Sequence, residues 1–80
     1  MNGYKDLVVW QRGMELVFSV YEIIGSFPSE EKYALGDQMR RAVVSIPSNI
    51  AEGYARDSKK EFRHFLAISA GSLAELETQL

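Results

Sequence analysis

A helical rhythm that carries on through a proline limits the possible folds of this chain more than any other feature. Met39, Val43, Ile46, Ile50 and Gly53 recur at steps of four and three, the spacing that lines up one face of an α-helix. Leu35 and Ala42 flank the same stripe, and Pro47 falls inside it. A turn at Pro47 would normally break the phase, so the spacing predicts one continuous but kinked helix over about Gly36 to Arg56. The pyrrolidine ring removes a backbone donor and crowds the carbonyl of Val43, which costs roughly 3 kcal/mol in an ordinary helix interior. Compensation is expected from packing at the bend, or from the Ser45 and Ser48 hydroxyls near the freed carbonyl. The arrangement also open to the sequence starts a new helix at Pro47, a favoured first position.

The flanking segments have the same rhythm. Asp6 suits an N-cap, and after it Leu7, Trp10, Met14, Val17, Tyr21 and Ile24 form an amphipathic stripe over about Leu7 to Gly25. Gln11, Arg12, Glu15, Ser19 and Glu22 make its polar arc, while Val9, Leu16, Val20 and Ile23 widen the apolar surface. Such a helix calls for more than one neighbour. "GSFPSEE" interrupts the pattern, with a short helical turn expected after Ser29. Ser58-Lys59-Lys60-Glu61 reads as a capping box, so another helix should start at Lys59. There Phe62, Leu66, Ser69, Leu73, Leu76 and Leu80 repeat as a heptad-like seam. Its outer side carries Ala67, Ala70, Gly71 and Ala74, a small-residue strip suited to close approach by another helix or another subunit. The seam reaches Leu80 without a stop signal, so the single domain over residues 1–80 is expected to be cut within its third long helix.

In the middle segment, Gln38, Arg41, Ser45, Asn49, Glu52 and Arg56 line up as a polar row, with Glu52 and Arg56 spaced for an ion pair. Val44, Ala51 and Ala55 lie opposite as a second, weakly apolar face. These features place this helix centrally, touching its own bundle and a neighbouring subunit.

At 80 residues the chain buries only roughly 60% of its unfolded surface. It has no cysteine to staple it, which leaves association or long helix packing as the usual support. No signal segment or membrane-length apolar run is present, so a soluble cytoplasmic protein is expected. The net charge is −2 but unevenly spread: residues 1–39 carry three Lys/Arg against six Asp/Glu, and residues 40–64 carry six against three.

"YKDLVVWQ", "FPSEEKYALGDQMRRA", "SIPSNIAEGYAR" and "EFRHFLAISAGSLAELETQL" span nearly the whole chain. In these pieces it resembles the four-helix-bundle family encoded by intervening sequences of bacterial large-subunit ribosomal RNA genes. The accessory variability protein of diversity-generating retroelements is related to that family. The resemblance implies an antiparallel up-down bundle that assembles into a ring-shaped homo-oligomer, a pentamer. It also implies a non-enzymatic role, with binding of nucleic acid and reverse transcriptase attributed to the retroelement branch through basic surfaces. The chain departs from that pattern in its acidic net charge. Against the family pattern, the chain is also expected to stop before the end of the third long helix and the fourth.

Chemical signatures are sparse. Glu61 and His64 have the Glu-x-x-His spacing of di-metal bundles, but a single copy is present, and with Phe62 inward His64 lies about 200° away. His64 has no nucleophile partner, and Arg56 is too distant for the short Arg-to-His spacing of helical ribonucleases. No metal, cofactor, small-molecule substrate or catalytic residue is therefore expected. The candidate phosphate contacts are Arg56, Lys59, Lys60 and Arg63, with His64 beside them and with Arg40 and Arg41 if these share the surface. The same residues also fit a solvated, salt-bridged helix entrance with Asp57 and Glu61. Tyr4, Trp10 and Tyr54 are able to stack on bases, although Trp10 falls on an apolar stripe. Two functions follow: an oligomeric interaction scaffold, or a nucleic-acid accessory protein.

Overall fold

The computed structural model describes residues 3–80, and among them every regular element is helical. A 3-10 turn, Gly3–Asp6, leads into α1 (Val8–Gly25), the short α2 (Ser29–Tyr33), α3 (Leu35–Ala55) and α4 (Lys59–Gln79). Asp6 does not cap α1. It closes the 3-10 turn, in which the Leu7 N–H donates to the Tyr4 carbonyl at 3.0 Å, and extended Leu7 becomes the cap residue instead. The Gln11 side chain donates to the Lys5 carbonyl at 2.9 Å, and Tyr4 meets Trp10 edge-to-face at 5.3 Å, so this entry is pinned to α1.

α3 runs unbroken through Pro47. The Ser45 hydroxyl donates to the Ala42 carbonyl and the Ser48 hydroxyl to the Val44 carbonyl, each at 2.8 Å, so neither goes to the carbonyl the proline frees. The compensation is packing. Pro47 is buried, and α1 comes so close that a Cβ on Gly13 would stand 3.4 Å from the Pro47 Cβ.

Gly13 also marks the true centre of the buried face of α1. Its neighbours there are Val20 and Ile24, with Val17 packed beside them. Tyr21, placed on the stripe by spacing, is 45% exposed. The two apolar arcs read from the sequence are flanks of one contact, and the glycine between them carries no hydrophobic signal.

Val20 and Ile24 join Met39, Ala42, Val43, Ile46 and Ile50 of α3 and Leu76 of α4 in one core. Gly13 stands against Pro47 and Ile24 against Gly36, so α1 and α3 are antiparallel. On the other edge of α3, the Ser69 hydroxyl donates to the Ile46 carbonyl at 2.9 Å, Ser45 bonds Ser72, and Gly53 lies against Phe65. That register makes α3 and α4 antiparallel as well, an up-down-up bundle with α3 in the middle. α1 and α4 each approach α3 closely and each other much less. The molecule is long, 43 × 21 × 15 Å, and its radius of gyration of 13.6 Å exceeds the roughly 11.6 Å of a compact chain this size.

The α3–α4 corner is tight. Asp57 takes a left-handed conformation at φ 55°, and extended Ser58 then caps α4, accepting from the Glu61 N–H at 3.3 Å.

Candidate nucleic-acid and association surfaces

Arg40 is held in place by its own neighbours. It pairs with Asp37 at 2.6 Å, reaches the Lys32 carbonyl at 3.4 Å and lies over the Tyr21 ring, 5.7 Å from its centroid. Those contacts tie α1 and α2 to the start of α3. Arg41 is exposed one residue further and shares a shallow hollow with Tyr21, Arg40, Val44 and Ser45.

Arg56 sits at the opposite end of α3. It pairs with Glu52 at 3.0 Å, as the spacing predicts, and its guanidinium covers the Phe65 ring at 5.1 Å. The sixteen residues from Arg40 to Arg56 amount to about 24 Å of helix. The six basic candidates therefore form two separate patches rather than one surface.

In the second patch, Lys59, Lys60 and Arg63 are exposed on the first turns of α4, and no ion pair among the described residues engages them. With His64 they cover an arc of about 140° on the helix. The His64 ring meets Phe65 edge-to-face at 5.4 Å and is exposed, and Glu61, one turn before it on α4, is half-buried. Beside the patch opens a hollow of about 580 Å³ lined by Gly53, Tyr54, Asp57, Ser58, Lys59 and Phe62. Tyr54 and Phe62 meet edge-to-face at 6.0 Å on its wall.

Ala67, Ala70, Gly71 and Ala74 are all exposed, and a Cβ on Gly71 would have nothing within 4 Å. By helical phase the strip faces directly away from Ser69 and Leu76, the buried side of α4. Spacing did not reveal the most exposed aromatic on α1: Phe18 is 69% exposed. The available signal was its position, because Phe18 lies inside the polar arc formed by Gln11, Glu15 and Glu22.

Among the described residues no helix is long and apolar enough to cross a membrane. Residues 5–80 match a family model described as 23S rRNA-intervening sequence protein. No curated protein matches the chain.

Proposed function

Since the chain belongs to the 23S rRNA-intervening sequence protein family, we propose that it acts as a non-enzymatic, oligomeric helical-bundle scaffold in the cytoplasm. The supporting observation is surplus surface. The chain exposes 5494 Å², against roughly 4,850 Å² for a typical folded monomer of its 9.0 kDa mass. Val8, Phe18, Tyr21, Ile23, Ile68 and Leu73 contribute apolar groups to that surface, which contact with further copies would remove from water. The specific assembly proposed is the homo-oligomeric ring, a pentamer, that the family resemblance implies. Light scattering across a concentration series should find a species of several protomers. A protein that stays helical and monomeric at millimolar concentration would overturn this reading.

A second reading, a nucleic-acid accessory protein that also meets a reverse transcriptase, draws on the exposed cluster of Lys59, Lys60 and Arg63 at the α4 entrance. Phosphate contact through these groups gives affinity without base specificity and a steep salt dependence. Affinity for mixed-sequence RNA that does not change with salt would exclude it.

A further inference from the structure

We infer that the exposed Phe18 ring of one copy docks in the hollow walled by Tyr54 and Phe62 on a second copy, an inference that rests on the self-association proposed above. Phe18 has few partners in its own protomer, being 69% exposed. The hollow, about 580 Å³, falls within the roughly 300–1,000 Å³ range of sites that bury a ligand group. Its Tyr54 and Phe62 rings, edge-to-face at 6.0 Å, offer a third ring the same offset geometry that aromatic clusters favour.

Charge selects a second copy of this chain as the occupant. Phe18 is flanked at i−3 by Glu15 and at i+4 by Glu22, so both carboxylates stand beside the ring on one exposed face. Glu15 is held only by a loose, exposed contact with Arg12 at 3.9 Å, and such surface pairs are readily exchanged. The rim of the hollow on α4 is basic: Lys59 lines it and Arg63 follows one turn later beside Lys59, while Asp57 is the one acidic residue on the lining. An aromatic knob between carboxylates thus matches an aromatic hollow beside ammonium and guanidinium groups.

The two patches lie at different heights on the protomer. Phe18 stands level with Ala42 in the antiparallel register set by the Gly13–Pro47 and Gly36–Ile24 contacts. Gly53 is eleven residues further along α3, about 16 Å. Each copy therefore offers one patch and receives the other.

The test compares the wild-type chain with Phe18→Ser, Glu22→Lys and Lys59→Glu by sedimentation and circular dichroism. All three sites are exposed, so helical content should stay at the wild-type level. Phe18→Ser is expected to raise the concentration for half-assembly by roughly tenfold or more, the effect of losing a central aromatic anchor. Glu22→Lys and Lys59→Glu should each weaken assembly alone. The double variant Glu22→Lys/Lys59→Glu should recover it, because the ammonium introduced on α1 of each copy then meets the carboxylate introduced on α4 of the next. If the wild type assembles but Phe18→Ser assembles equally well, or the double variant assembles no better than the single ones, the docking is wrong and the scaffold reading stands. A wild type that never assembles removes both.

Discussion

At single residues, the glycines separate close packing from open surface. A Cβ on Gly53 would stand 2.6 Å from the Phe65 Cβ, where both backbones must move, whereas Gly71 has open space around it. Gly53→Ala should therefore destabilise the fold, overpacking costing about 1–3 kcal/mol. Gly71→Ala should stabilise it by about 0.5–1 kcal/mol, the ordinary helix gain. Urea-unfolding midpoints moving in opposite directions would check both; equal shifts would refute the close approach at Gly53. Asp57, at φ 55°, should respond in the opposite sense to Gly53. Asp57→Gly relieves a left-handed conformation that costs an ordinary residue roughly 1–2 kcal/mol, so its midpoint should rise. Spacing placed Gly53 on the seam of α3 but did not locate Gly13, because hydropathy registers side chains and Gly13 contributes a missing one.

For whole helices, phase fixed direction and left depth open. Leu73 and Leu76 fall on one seam of α4, yet Leu76 is 1% exposed and Leu73 is 40% exposed. Leu76→Ala should cost about 2–5 kcal/mol, as large core truncations do; Leu73→Ala should cost markedly less. Thermal melts giving equal losses would show that the seam is buried uniformly. Depth depends on what lies opposite, and that partner belongs to another helix, outside any single-helix pattern. Pro47 is a different case. Its continuity was legible from Met39, Val43, Ile46 and Ile50, and packing at the bend was one of the two compensations expected, but the packing partner was not legible, because Gly13 is 34 positions away in the chain. The Ser58 half of the capping box was legible from local spacing, since the N-cap bond that Ser58 accepts from the Glu61 N–H involves only residues three apart.

Across the whole molecule, the helical class and the order of helices could be read from phase, but the grouping of charges could not. Spacing alone allows Arg40 and Arg41 to join the α4 entrance, and the length of α3 separates them from it. If RNA or DNA binds, replacing Arg56, Lys59, Lys60 and Arg63 with alanine should lower the salt slope of log affinity by about one for each phosphate no longer neutralised. Replacing Arg41 should leave that slope unchanged. Titrations at several salt concentrations would check both, and equal effects would mean the two patches act as one. The position of α3 between α1 and α4 also bears on how the chain is made. Nearly every core contact joins helices that are neighbours in sequence, a topology that folds fast. Synthesis releases α1 and α3 before α4, so Val20, Ile24, Met39 and Val43 can close on one another while α4 is still leaving the ribosome. Until α4 arrives, the side of α3 bearing Ser45, Ile46 and Gly53 stays bare to the cell, and a nascent chain stalled there is the form most in need of a chaperone.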